Sequence, residues 1–340
     1  MNRRSLIVIG VALALVSVVF STAAEFVELV DQTGRTVFIE GPIDRIASVY
    51  GSGTYYVYAL GAQARLVAGW YVGVKGLSQA SEAMFRLEPR LADLLLFGDP
   101  NVEELVARGV DFVMVDGSRH GAFAEQMTDL GIPVLQYLVE TPEALKEAVR
   151  LTAAALGDEA TERADRFGGD YERVFASVEE SLAGIPFRER TRVLFLGTDP
   201  QKVASGEMYQ TYLIEAAGGV SVSAELTGYW NEVGLEQILL WDPDVIVIPP
   251  YGSVQPSDLL ENADWAAIAA VRDGRVVRMP RLIAPMDTPV PESLLGVVWM
   301  ANVLYPDLAP FDLAGEAIGF YSTYYDYELT ESELDLLTSP

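Results

Sequence analysis

Two stretches of the chain place apolar and polar residues in the same order. In NVEELVARGVDFVMVDGS (101–118), Glu103 opens a short helical pattern, Asp111 follows, and the apolar run Phe112–Val115 leads into a loop at Asp116–Gly121. In GLEQILLWDPDVIVIPPYGS (234–253), Glu236, Asp244 and the run Val245–Ile248 repeat that order, ending in the Gly/Pro-rich loop Pro249–Pro256. Each reads as helix, strand, loop. Between them lies the longest helical pattern of the chain, residues 141–183. Thr141 is placed to cap it, with Pro142 at the first helical position and Glu143 in the first turn. Gly157-Asp158 interrupts it and Gly168-Gly169 weakens it, so the spacing predicts two helices, the second over about 158–183.

The same reading fills in the remainder. Val27–Val30 and Thr36–Ile39 alternate about Asp31–Gly34 and predict a hairpin. Arg45–Tyr50 reads as a buried strand and Gly51–Gly53 as a break, with Thr54 as cap of a helix over YYVYALGA. Leu66–Gly69 is a strand, and residues 72–100 are irregular with a short helix near Ser81–Phe85. Ala122–Leu130 is a helix and Pro133–Tyr137 a strand. After the spacer come a strand (Arg192–Leu196), a long loop (Gly197–Met208), a helix (Tyr209–Ala217) and a second loop (Leu226–Asn231). The helix Leu235–Trp241 precedes the strand Val245–Ile248. A helix (Trp265–Ala270), a strand (Arg275–Met279), a helix within 289–308 and two amphipathic helices within 316–337 complete the chain. Strands alternating with helices imply parallel pairing through right-handed crossovers. The expected organisation is a leader over 1–24, an α/β lobe over 25–140, a helical connector over 141–186 and a second α/β lobe with C-terminal helices over 187–340. Ligands of open α/β sheets bind at the C-terminal ends of the strands, so two such edges facing each other make a cleft.

The ends of the chain and its charge set an address. Arg3 and Arg4 precede the mostly apolar run Leu6–Phe20, and Ser21-Thr22-Ala23-Ala24 follow. This is the pattern of a secretory signal cleaved after Ala24. The run is short against a hydrocarbon core of about 30 Å, which disfavours a membrane anchor. The chain has no cysteine, which removes disulfides, thiolate chemistry and a lipid-modified cysteine tether. A soluble, monomeric protein of the periplasm is expected. A formal charge of −26 sets the chain against nucleic acid and anionic membranes.

Catalytic patterns are sparse. His120 is the one histidine, and no H-E-x-x-H, G-x-S-x-G or phosphate-loop motif occurs. Gly51-Ser52-Gly53 falls short of a dinucleotide fingerprint. Binding is therefore favoured over catalysis, with no cofactor. The strand-end loops are rich in aromatic residues: Tyr50 and Tyr55, Trp70 and Tyr71 in the first lobe, and Tyr209, Tyr229, Trp230 and Tyr251 in the second. Such side chains give rigid contact area with polar tips, although any one of them serves equally well as loop packing. Ser52 sits at a helix start. Arg119, Lys202 and Arg281, with Asp116, His120 and Asp287, are the charged candidates for a cleft.

At this point the chain resembles a family. DQTGRTVFIEGPIDRIASV, YALGAQARLVAGW, NVEELVARGVDFVMV, ASGEMYQTYLIEAAGG, VGLEQILLWDPDVIVIPPYG, WAAIAAVRDGRVVRMP and PESLLGVVWMANVLYPD are, as an ordered set over about 26–305, similar to the periplasmic substrate-binding proteins of ABC importers for iron–siderophores, haem and vitamin B12. The resemblance implies two Rossmann-like lobes bridged by a long helix, little closure on the ligand, and one surface glutamate per lobe that meets arginines of the permease dimer. Those positions here are Glu103 and Glu236, which as helix-start acids also suit the dipole. The segment 284–292, with Met286 and Asp287, corresponds to the last cleft loop.

The reading that follows is a binding protein that delivers a metal chelate, foremost an iron–siderophore and otherwise haem or cobalamin, to an ABC permease with its cytoplasmic ATPase. Tyr50, Ser52, Tyr55, Trp70, Tyr71, Arg119, His120, Lys202, Tyr209, Tyr229, Trp230, Tyr251, Arg281, Met286 and Asp287 are its candidate ligand contacts. No residue is assigned as a direct metal ligand. Two alternatives stand beside it. One is a molybdate or tungstate oxyanion held by backbone N–H groups near Ser52–Tyr55 and Glu207–Tyr209. The other is a tetrapyrrole metal chelatase that would use His120 and an acid, which the export signal disfavours.

Overall fold

The computed structural model describes residues 26–308 and 311–339; the leader lies outside them. Phe26–Val30 and Thr36–Glu40 form the predicted antiparallel hairpin. The first lobe is built on a parallel sheet of Ile46–Ser48, Leu66–Gly69, Phe112–Asp116 and Val134–Tyr137. The second is built on a parallel sheet of Arg192–Phe195, Val220–Ser221, Val245–Ile248 and Val276–Arg278. Counted by order of appearance, both sheets run second, first, third, fourth across the lobe. The sequence repeat is thus one strand topology used twice. The register carries it through, with Ile46 opposite Phe112 in one lobe and Val245 opposite Val193 in the other. The inner strands are buried except at Asp116 and Arg192, as parallel strands covered on both faces require.

The spacer is two helices, Pro142–Leu156 and Asp158–Leu182. Thr141 caps the first by accepting from the Ala144 N–H at 3.1 Å. The break is Gly157, whose φ of 107° is open to glycine but strained for other residues. The first helix packs on the hairpin and on the helix Gly51–Ala59. The second packs along the helices Tyr209–Ala216 and Ser293–Leu304. Gly168 and Gly169 do not interrupt it, because Phe167, Tyr171 and Val174 bury one continuous face beside them. Arg163, on the same helix, donates to Ala59 O and to the Thr323 and Tyr324 carbonyls at 2.9–3.1 Å. It thereby ties the end of an N-terminal-lobe helix to the C-terminal Leu313–Tyr325 helix.

Several elements differ from expectation. Thr54 does not cap a helix. It lies inside one that begins at Gly51, and its hydroxyl donates to Trp70 O. That start is possible because a Cβ at Gly51 would lie 2.8 Å from Val72 N. Residues 197–208 are not all loop, since Lys202–Val203 pairs antiparallel with Asn231–Glu232. The helix expected over Trp265–Ala270 is the single turn Ala269–Arg272, and Pro256–Leu260 is helical. Among the described residues no helix is long and apolar enough to cross a membrane.

Candidate functional site

Residues at the C-terminal ends of both sheets meet between the lobes. From the first lobe come Tyr50, after Ile46–Ser48; Asp116, Ser118 and Arg119, after Phe112–Asp116; and Tyr137 and Glu140, at the end of Val134–Tyr137. Tyr50 stacks on Tyr137 with ring centroids 5.9 Å apart, and Tyr56 meets both rings edge-on. Tyr137 is held from behind by the Thr152 hydroxyl at 2.7 Å. From the second lobe come the start of helix Tyr209–Ala216, the Tyr229 loop, and Tyr251 with Asp287.

Glu140 is the junction. Its Oε2 accepts the Tyr209 N–H at 3.3 Å, a contact made across the cleft. The Tyr229 hydroxyl interacts with the same carboxylate, and Tyr50 and Tyr251 lie within its field. Burial pushes the Glu140 carboxyl up from its ordinary value, opposed by the Tyr209 N–H and the Tyr229 hydroxyl. Below it, Asp287 is fully buried. Its Oδ2 accepts from the Tyr251 hydroxyl at 2.6 Å and from Gln210 Nε2 at 3.1 Å. Its Oδ1 has no partner among the described residues, and burial raises its carboxyl to about 6. Tyr209 itself reaches into the core, where its hydroxyl bonds that of Ser293 at 2.7 Å and that of Tyr171.

Two helix starts open on this space. Gly51–Ala59 and Tyr209–Ala216 both lack a side-chain cap. Among the described residues the Gly51, Ser52 and Gly53 N–H groups have no acceptor, since the first capping bond is Thr54 N–H to Tyr50 O. Unpaired N–H groups at the positive end of a helix attract anionic oxygen. At Tyr209 that oxygen is the Glu140 carboxylate.

The predicted contacts divide accordingly. Tyr50, Ser52, Arg119, Tyr209, Tyr229, Tyr251 and Asp287 are gathered around Glu140. Arg119 is exposed, 3.5 Å from Asp116 and over the Tyr229 ring. His120 is half-buried at the start of Gly121–Asp129, its ring pushed down by desolvation. The other candidates do other work. Tyr55 and Tyr71 are core residues around a small void with Tyr58, Met84 and Ile283, and Met286 is buried. Trp70 donates to Gly98 O at 3.0 Å. Lys202 lies on the two-residue ladder, and Trp230 beside it packs on Gly197. Arg281 straps the lobes together, donating to Gly73 O at 2.9 Å and Gln79 O at 2.6 Å. Tyr56 does the same through Pro289 O at 2.9 Å. Glu140, Tyr56, Tyr137 and Gln210 were not anticipated. For Glu140 a signal existed, because it is an acid at the end of a parallel strand and therefore on the cleft edge.

Elsewhere, a hollow of about 200 Å³ between Asp158–Leu182 and Leu313–Tyr325 is lined by Asp170, Arg173, Glu316 and Tyr324. Its polar groups satisfy one another, Arg173 with Glu316 at 2.8 and 2.9 Å and Tyr324 with Asp170 at 2.7 Å. Among the described residues no group of three or more His, Asp or Glu could hold a metal ion. Glu103 and Glu236 are exposed in the first turns of Val102–Ala107 and Leu235–Trp241.

Residues 46–282 match the family model described as periplasmic binding protein. The molybdate-binding protein MolA of Haemophilus influenzae is 28% identical over 359 aligned residues, which span 96% of this chain and 97% of that protein. A vitamin B12-binding protein of Yersinia pestis is 25% identical over 208 residues, 60% of this chain and 69% of that protein. The solved structure of MolA bound to molybdate is similar at a TM-score of 0.78 and 25% identity, covering 89% of this chain and 99% of that one.

Proposed function

The chain belongs to the periplasmic binding protein family, the solute-capturing components of ABC importers, and from that premise we propose that its solute is a small tetrahedral oxyanion of the molybdate type. The observation that carries this reading is the Glu140 carboxylate seated on the Tyr209 N–H at 3.3 Å. One helix start of the cleft already takes an anionic oxygen, and the N–H groups of the opposite one, at Gly51–Gly53, have no acceptor among the described residues. The lobes also touch directly at Glu140–Tyr209, Tyr56–Pro289 and Arg281–Gly73. Lobes tied this directly favour an ion a few ångströms across over a bulky chelate. The full-length likeness to a molybdate-binding protein supports the same ligand class. In this reading backbone N–H groups hold the anion, the phenol tips of Tyr50 and Tyr229 orient it, and Arg119 supplies the nearest positive charge.

A corrin or ferric chelate is the second reading. It is favoured by the exposed Tyr229 ring under Arg119, a surface on which a planar ligand can lie. Delivery is to an ABC permease, with Glu103 and Glu236 as the two docking carboxylates. Calorimetric titration with molybdate, tungstate, sulfate, cobalamin and a ferric chelate tests the assignment. Heat of binding with molybdate and tungstate is expected. Saturable binding of cobalamin or the chelate alone would replace it with the second reading.

A further inference from the structure

We propose that Glu140 is a built-in competitor for the ligand: its carboxylate holds the helix start at Tyr209 in the ligand-free protein, and an oxyanion replaces it there as Glu140 takes up a proton from solvent. This inference rests on the oxyanion reading above.

The geometry forces the competition. A backbone N–H is a single donor, and at Tyr209 Glu140 Oε2 occupies it at 3.3 Å. The groups facing Glu140 make sharing the space unfavourable. Asp116, at the end of Phe112–Asp116, is a like charge, and Asp287 sits behind Tyr251 as another. Tyr50, Tyr229 and Tyr251 present phenols from three further loops, and Glu143 follows on the adjoining helix. Arg119 is the one cation among these neighbours, and it is exposed and shared with Asp116. A dianion entering beside an ionised Glu140 therefore meets like charge in a partly desolvated space, where Coulomb repulsion is strongest. Protonation removes that charge and turns the carboxyl from an acceptor into a donor toward the anion. Burial already moves Glu140 in that direction.

The test is molybdate titration of wild type, Glu140→Gln and Glu140→Ala from about pH 8.5 to about pH 6, in buffers of differing ionisation enthalpy. Coupled uptake of one proton raises wild-type affinity by up to about tenfold per unit fall in pH. Removing the charge should flatten that slope and leave Glu140→Gln roughly tenfold or more tighter than wild type at the alkaline end. Glu140→Ala, which also vacates the helix start, should bind at least as well as Glu140→Gln. Circular dichroism of the variants checks that each is folded. Equal affinities and equal pH slopes in wild type and variants would overturn the inference and leave the oxyanion reading intact. So would weaker binding by both variants, which would make Glu140 a ligand contact, or wild-type binding without proton uptake. Absence of molybdate binding by all three proteins would overturn the oxyanion reading, and this inference with it.

Discussion

In the first lobe, Arg45 donates to the Arg108 and Gly109 carbonyls at the end of helix Val102–Ala107, while Asp111 accepts the Asp44 and Arg45 N–H groups at 2.9 Å. In the second, Arg192 donates to the Trp241 carbonyl at 2.7 Å, and Asp244 accepts the Arg192 N–H at 2.8 Å. The two lobes use the same arginine and the same aspartate to join a helix end to two strand starts. Even the left-handed residue that closes the helix recurs, as Gly109 with φ 67° and as Asp242 with φ 41°. At the other ends of the same strands the likeness stops. The first lobe presents a stack of tyrosines and Glu140, and the second the helix start at Tyr209 and a buried Asp287 held by Tyr251 and Gln210. The shared bonds that tie each helix end to its strand starts do not involve the strand ends, which could diverge without losing them.

The sharpest way to break this contrast is to titrate the divergent ends. Asp287 is raised from 3.8 to about 6 in the folded chain. The stability linked to its neutral form is full below its unfolded value, falls as pH rises, and is gone above about pH 6. Relative to Asp287→Asn, the wild type should lose roughly 2–3 kcal/mol across that window in urea denaturation. Tyr137→Phe in the first lobe should show no such pH dependence. Glu292, raised from 4.5 to about 7 by burial and held by Tyr325 at 2.6 Å, should give a comparable trend displaced upward in pH when compared with Glu292→Gln. A flat difference in both cases would mean that these carboxyls are hydrated rather than buried.

Smaller effects test the shared ends. Asp111→Ala removes two charge-assisted bonds and should cost about 2 kcal/mol, and Asp244→Ala, with one, about 1 kcal/mol. A cost in only one lobe would show that the duplicated pattern no longer carries equal energetic weight. Smallest is the left-handed pair. Gly109→Ala should destabilise by about 1 kcal/mol. Asp242→Gly should change stability by roughly half of that or less, because relief at φ 41° is offset by loss of the Asp242 bond to the Ala269 N–H.

The repeat was legible because it is written in local pattern: an acid, a helical turn, an aspartate and an apolar run. The Thr141 cap and the Gly157 break were legible for the same reason. Val220–Ser221 and Lys202–Val203 were not, since two residues carry no periodicity, and their pairing partners set them. Thr54 misled because a threonine after glycines reads as a cap, whereas close approach to Val72 is what places Gly51 at the helix start. For the site, the aromatic pattern of the strand-end loops marks Tyr50, Tyr209, Tyr229 and Tyr251. It also gathers Tyr55 and Tyr71, whose polar tips face the core. Glu140 is legible only as an acid at a parallel strand end, because local sequence does not reveal its partner Tyr209, 69 residues away.

The most direct measurement of the central claim is anomalous diffraction at the molybdenum edge from crystals grown with molybdate. The account predicts one peak between the lobes, within hydrogen-bond reach of the N–H groups at Gly51–Gly53 and Tyr209, with the Glu140 carboxyl moved off Tyr209. A peak elsewhere on the molecule, or an interlobe peak with Glu140 still bonded to Tyr209, would contradict it.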